Sequence, residues 1–238
     1  MDIPNVTASV LKLLRDKIIV GDFKPGQKLN EYNLSSELNI SRPPIREALR
    51  ILEQDRLVMY IPRRGTYIAE LSVTDFREVS QVREMIECYA IDLIRKKVAK
   101  ERNLSKIESA INKSSSLTIP PTDIDDTQRI MQIIKDILEF HYSLVEASGN
   151  IRLTHIYYSI SHNLARYQYI YFKINGTVWH SLNDHKITYE LIRDGNFNQA
   201  KKKLQEHIYY TIDLVETKMF TPESSFVIAG HPDSFTAK

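Results

Sequence analysis

A single cysteine, Cys88, in 238 residues rules out a disulfide within the chain and any cysteine-rich zinc site. That scarcity fits a reduced, cytoplasmic setting. Cys88 sits in the helical pattern Met85-Ile86-Glu87-Cys88-Tyr89-Ala90 and reads as a small packing residue rather than a reactive thiol. Glycine is scarce at seven residues, and alternating apolar–polar stretches are few, which argues for a mainly helical protein. No apolar run approaches the roughly 20 residues needed to span a bilayer. The start, Met1-Asp2-Ile3-Pro4-Asn5, lacks the basic-then-apolar layout of a secretory signal, so no membrane role is expected. An excess of charge of one sign is missing too: 32 Lys and Arg face 30 Asp and Glu. The chain is therefore no general basic coat for nucleic acid, and a nucleic-acid site would need local clustering of cations.

What is present is helical periodicity with clear punctuation. Val10, Leu11, Leu14, Ile18 and Ile19 predict a helix from Thr7, as N-cap, to Val20, closed by Gly21. A short helix over about Glu31–Leu38 follows, then a bend at Asn39-Ile40. A third helix runs from Ser41, as N-cap, to about Asp55. Leu57–Pro62 and Thr66–Ala69 flank Arg63-Arg64-Gly65 and read as a β-hairpin. Three helices and a basic hairpin are the winged helix-turn-helix layout, placed at residues 1–70. Beyond it, after Ser72-Val73-Thr74-Asp75 as a link and helix cap, helical patterns cover about 75–99, 103–115, 125–147, 151–173, 178–193 and 196–219, broken at Leu117–Thr122. They predict an all-helical bundle at 71–220, with a loose tail at 221–238.

A recognition helix reads bases mainly near its N-terminus, here Ser41-Arg42-Pro43-Pro44-Ile45-Arg46-Glu47. Arg42 and Arg46, four residues apart, share a face, and arginine forks suit guanine O6 and N7. Ser41 is placed to cap the helix and reach a phosphate, and Arg50 to contact the backbone. Arg63, Arg64 and Gly65 form a wing tip that suits phosphates or a minor groove. Arginines at this spacing are, taken alone, usually a solvated face, with Glu47 and Glu53 at hand as partners.

Residues 38–53, Leu38-Asn39-Ile40-Ser41-Arg42-Pro43-Pro44-Ile45-Arg46-Glu47-Ala48-Leu49-Arg50-Ile51-Leu52-Glu53, resemble the GntR-family signature. Gly21–Leu29 before them and Arg63-Arg64-Gly65 after them resemble it too. The resemblance implies a dimeric transcriptional regulator on a pseudo-palindromic double-stranded DNA operator, with Arg42 and Arg46 reading bases and Gly65 approaching the DNA. Tyr32 stands where some relatives place a DNA-contacting arginine. The second half resembles the FCD (FadR-type) ligand-binding class through Val82–Glu87, Phe140-His141, Ala147–Asn150, His185, Ala200 and Glu206–Ile208.

His141, His185 and His207 fall on three separate helical stretches, and imidazoles that converge in a bundle suit a Zn- or Ni-like divalent ion. A lone buried histidine is more often a hydrogen-bonded core residue; the FCD resemblance is what makes these three metal ligands. It also implies a carboxylate one turn before His141, where this chain has Ile137. Asp136, five residues before His141, points about 140° away on a regular helix. Either a local bulge turns Asp136 inward, or the carboxylate is lost and the site is completed by water or an effector, or is metal-free. Arg83 is a candidate grip for a small carboxylate effector, or simply the partner of Glu87. Arg166, among Tyr157, Tyr158, Tyr167, Tyr169 and Tyr171, is a second effector candidate, while His155, His162 and His180 read as peripheral. The leading function is an effector-controlled DNA-binding repressor. A metal-dependent hydrolase and an effector-insensitive DNA binder are the alternatives.

Overall fold

In the computed structural model, which describes residues 6–97, 102–115, 127–175 and 179–219, helix α1 (Val6–Ile19) buries Val10, Leu14 and Ile18. It includes Val6, so Thr7 lies in its first turn rather than at its cap. Gly21, at φ 79°, closes it by giving its N–H to the Ile18 carbonyl. Strand β1 (Lys28–Leu29) leads into α2 (Glu31–Leu38), capped by Asn30, whose side chain accepts from the Tyr32 N–H at 2.8 Å. The bend is made by Asn39 in the left-handed region, at φ 51°.

Helix α3 (Arg42–Gln54) buries Ile45, Ala48, Leu49 and Leu52. Ser41 holds the N-cap position but makes no side-chain cap hydrogen bond. The reason is in the sequence: a cap oxygen accepts from the second or third helical N–H, and Pro43 and Pro44 have none. Strands β2 (Val58–Ile61) and β3 (Gly65–Ile68) form the hairpin, and β1 adds to its free edge, giving the antiparallel order β1-β3-β2. The two-residue β1 is too short to show a period, which is why only the hairpin was predicted. Residues from all these elements close one apolar core, among them Val10, Leu14, Leu29, Ile45, Leu52, Leu57 and Ile68.

The second core is a bundle of α4 (Val73–Lys96), α5 (Ser105–Ser115), α6 (Thr127–Ala147), α7 (Ile151–Asn175), α8 (Trp179–Arg193) and α9 (Phe197–Met219). The Ser72 hydroxyl caps α4 by accepting from the Asp75 N–H at 3.0 Å. Phe76, Ile94, Ile134, Phe140, Leu144, Ile192, Leu204 and Ile208 belong to this core. The break expected at Leu117–Thr122 and the tail from Thr221 lie outside the described residues. Cys88 is half-buried, and burial, with Glu87 and Glu84 beside it, pushes its thiol up to about 12.

The two cores meet along α7. Ile19, at the end of α1, and Leu71, in the linker, are buried in the bundle core rather than in the head. The Asn163 amide donates to the Asp55 carbonyl at 2.8 Å, and Arg166 Nη1 donates to the Ala69 carbonyl at 2.7 Å. The Tyr167 hydroxyl accepts from the Ser72 N–H at 3.1 Å and donates to the Asp75 carboxylate at 2.9 Å. Arg15 on α1 pairs with Asp55 at 2.8 Å. His162 is not peripheral, contrary to its reading from the sequence. It packs into this joint with Nδ1 3.8 Å from Asp55 Oδ2, and burial, then Arg15, holds its imidazole down to about 3.

Two outcomes are expected. Because its hydroxyl caps nothing, Ser41→Ala should change unfolding free energy by less than about 0.5 kcal/mol, against about 1 kcal/mol for loss of a working cap. Chemical denaturation checks this, and a loss of a full kcal/mol would show that the hydroxyl does cap α3. His162 protonates near pH 6.5 when unfolded but stays neutral when folded until about pH 3. Acid therefore favours the unfolded or undocked form, and between pH 7 and pH 5 wild type should lose about 1–2 kcal/mol more than His162→Gln. Parallel pH–stability curves for the two proteins would contradict it.

Candidate functional site

Two places on the molecule carry chemistry. The first is the outer face of the helix-turn-helix. Arg42, Pro43, Arg46 and Arg50 on α3 are exposed, as is Ser41 before them. Arg46 donates from Nε and Nη2 to the Glu31 carboxylate, the shortest contact being 2.9 Å, and Arg42 Nη2 reaches the same carboxylate at 3.3 Å. These bonds, Arg46's first, outweigh burial and hold the Glu31 carboxyl below its usual range. Arg50 pairs along its own helix with Glu47 at 2.7 Å. At the wing, Arg63 and Arg64 are exposed, and Arg63 at φ 64° and Gly65 at φ 105° make the turn. Lys28 on β1 also reaches the wing, since a Cβ on Gly65 would lie 3.3 Å from its Cε. Arg42, Arg46, Arg50, Arg63 and Arg64 thus all offer guanidinium groups to solvent, as contacts to base edges and phosphates require.

The second is inside the bundle. His141 on α6, His185 on α8 and His207 on α9 are all buried, and one ring nitrogen from each lies within 4.8 Å of the others. His185 Nε2 and His207 Nε2 are 3.3 Å apart, and the Phe140 ring stacks on His185 at 4.3 Å. From α4, Glu87 accepts from His141 Nδ1 at 2.9 Å, which leaves the His141 Nε2 lone pair to accept from Arg83 Nη2 at 2.7 Å. Arg83 Nε in turn donates to Glu87 at 2.8 Å, so guanidinium, carboxylate and imidazole form one buried network. Burial, then the charge of Arg83, pushes His141 well below its ordinary value; burial does the same to His185, and lowers His207. Three neutral imidazoles at close quarters are the ligand type a borderline-soft divalent ion takes, and for all three to ligate Arg83 would have to release the His141 Nε2 lone pair. Nδ1 of His185 and Nδ1 of His207 are buried without hydrogen-bond partners; with one Nε2 donating to the other, one of these two Nδ1 atoms keeps a free lone pair.

Other sequence-chosen residues are placed elsewhere. α6 runs as unbroken α-helix through Asp136 and His141, so no bulge turns Asp136 inward. Asp136 is buried on the α5 side, where it accepts from Gln132 at 2.8 Å and pairs with Lys113. Ile137, at the expected carboxylate position, is buried in the apolar core. Arg166 is far from the histidines in role: it holds the linker carbonyl of Ala69, and burial lowers it to about 10. Arg83 is the partner of Glu87, one of its two readings, and it also joins the histidine cluster.

Four residues with a place at these sites were not singled out as such. Glu87 was visible only as an i+4 partner of Arg83; its bond to His141 is a long-range contact. Asp184 lies 3.7 Å from His207 Nδ1 and is neutralised by Lys203 at 2.6 Å. Glu31 and Lys28 reach the exposed arginines and the wing only through the packing of α2 on α3 and of β1 on β3. Their one sequence signal was charge next to a helix-turn-helix.

Comparison with known proteins agrees with this geometry. Residues 7–68 match the model of bacterial regulatory proteins of the gntR family, and residues 78–210 match the FCD domain. The HTH-type transcriptional regulator YdhC of Bacillus subtilis is 27% identical over 194 residues, covering 82% of this chain and 84% of that one. The HTH-type transcriptional repressor RspR of Escherichia coli is 35% identical over 83 residues, covering 35% and 36%. The gluconate operon transcriptional repressor of Bacillus licheniformis is 33% identical over 96 residues, covering 40% and 39%. Among solved structures, a GntR transcriptional regulator from Rhodococcus sp. RHA1 superposes with a TM-score of 0.72 at 22% identity, covering 89% of this chain and 98% of that one. E. coli McbR/YncC gives 0.69 at 17%, covering 91% and 99%, and both likenesses concern the fold alone. The family members matched here are regulators of transcription, not enzymes, which sets aside the hydrolase reading. A winged head with an exposed arginine face, joined to a six-helix FCD body, makes this chain a transcriptional regulator of the gntR family.

Proposed function

We propose that the chain is a ligand-responsive repressor that works in the cytoplasm as a homodimer on a pseudo-palindromic operator. Ser41, Arg42, Pro43, Arg46 and Arg50 on the recognition helix, with Arg63, Arg64 and Gly65 on the wing, are its DNA contacts. Two matched relatives carry the word repressor in their names, which supports that direction of control. No helix among the described residues is long and apolar enough to cross a membrane. Val82, Met85 and Tyr89 form an exposed apolar stripe on α4, a face suited to a second copy of the chain.

The observation that carries the sensing role is the buried cluster of His141, His185, His207 and Arg83. Polar groups in a bundle core cost stability, and an apolar set would pack there more cheaply. The cluster suits a small carboxylate effector, with Arg83 as its charged grip. The three imidazoles would hold a Zn- or Ni-like ion, which when bound would supply a positive anchor for that carboxylate. Arg83 and Glu87 orient His141, and the surrounding apolar side chains exclude water. For the effector to act, it must bind more tightly to one arrangement of head and body than to another.

Arg42→Ala and Arg46→Ala should each weaken operator binding by roughly 1–3 kcal/mol in a mobility-shift titration. Wild-type binding by both variants would remove α3 from its assigned role. Saturation with zinc or nickel at about 100 times its dissociation constant should raise stability by about 3 kcal/mol, and a chelator should reverse it. His141→Ala should abolish the bound metal found by elemental analysis, whereas Asp136→Asn should keep it. A melting temperature indifferent to metal and chelator would end the metal reading.

A further inference from the structure

Glu31 is an acidic side chain on a face that must approach a polyanion. Its charge costs affinity for any duplex, because phosphates repel it whatever the sequence. Its position is also not loose. It is the first residue of α2, fixed by the Asn30 side chain that accepts from the N–H groups of Tyr32 and Asn33. From there its carboxylate accepts from Nε of Arg46 at 3.2 and 3.3 Å and from Nη2 at 2.9 Å. Arg42 gives it a single bond, from Nη2 at 3.3 Å.

A guanidinium has two usable edges: a side edge, Nε with Nη2, and an end, Nη1 with Nη2. Glu31 occupies the side edge of Arg46 and leaves the end free, the edge that forks onto guanine O6 and N7. An exposed arginine otherwise samples many rotamers, each of which must be given up on binding.

We propose that Glu31 is a specificity-positioning residue: it holds Arg46 by one edge so that the other meets a guanine in one geometry, giving up general DNA affinity for base discrimination. The single bond makes Arg42 the less constrained of the pair. This inference rests on Arg46 being a base reader.

The test uses the full-length protein and a duplex selected by wild type from a random-sequence library. A second duplex has each guanine–cytosine pair of the selected site changed in turn, and a third is unrelated. Glu31→Gln should bind the unrelated duplex more tightly than wild type does. It should also lose about tenfold in discrimination at one guanine position, within the range that a bidentate contact supplies. In an Arg46→Ala background that loss should vanish, because nothing is left to position. Glu31→Gln that tightens binding to all duplexes equally would overturn the proposal, making Glu31 a mere competitor for the arginines. A loss that persists in the Arg46→Ala background would also overturn it, making Glu31 itself a base contact. If Arg46→Ala discriminates as wild type does, the assignment of Arg46 as a base reader falls and takes this inference with it. If Arg46→Ala loses discrimination while Glu31→Gln keeps it, only the inference falls.

Discussion

The docking of the head on the bundle rests on the grip of α7 on the linker backbone. Arg166 bonds the carbonyl of Ala69, and Tyr167 bonds both the N–H of Ser72 and the side chain of Asp75. The linker is held mainly by its main chain, so its path does not depend on packing by its own side chains alone. The joint also holds unsatisfied polar atoms. Arg15 Nε, His162 Nδ1 and Arg166 Nη2 are buried there without hydrogen-bond partners. Orphaned polar atoms make a contact cheaper to open, and the elements that move in allostery come from the low-stability end of a structure. Two apolar cores with a polar seam between them are suited to moving as two bodies.

The histidine cluster holds orphaned atoms too, but it is tied together by charge. Glu87 ties Arg83 to His141, and burial keeps all three imidazoles neutral. A buried ion pair of this kind seldom raises stability over apolar packing, although breaking it is costly. Its value lies in orientation: the carboxylate sets the tautomer of His141, and the guanidinium meets the lone pair that results. Carboxylate chemistry is therefore present beside the histidines, delivered from α4 rather than from α6, where Ile137 stands.

Much of this could be read from the residues in order. Helical period and local punctuation placed every helix to within a few residues, because capping and burial act over one or two turns. Periodicity alone put Asp136 on the wrong side of α6, and the unbroken helix keeps it there. The failures have two causes, one local and one spatial. Ser41 looked like a cap because serine usually is one, and the cost of two prolines to its donors went unnoticed. β1, the Glu31 fork and the Glu87–His141 bond depend on which elements meet in space, and spacing along the chain carries no record of that. His162 was passed over for the same reason, since its burial comes from the head and not from its own helix.

The position of Ser72 has a mechanical consequence. It is the cap of α4, the helix that also carries Arg83, eleven residues further on, about 16 Å along the axis. Alongside lies α7, whose Tyr157 packs with Ile86 and Ala90 near the histidines and whose Tyr167 packs against Phe76 near the linker. An α-helix hardly shortens or stretches, so an axial slip of α4 at Arg83 arrives undiminished at Ser72. If α7 moves with it, the head is carried as cargo; if α7 stays, the bonds of Tyr167 must shear. The α4–α7 pair is thus the stiff path by which a displacement at Arg83 would reach the linker.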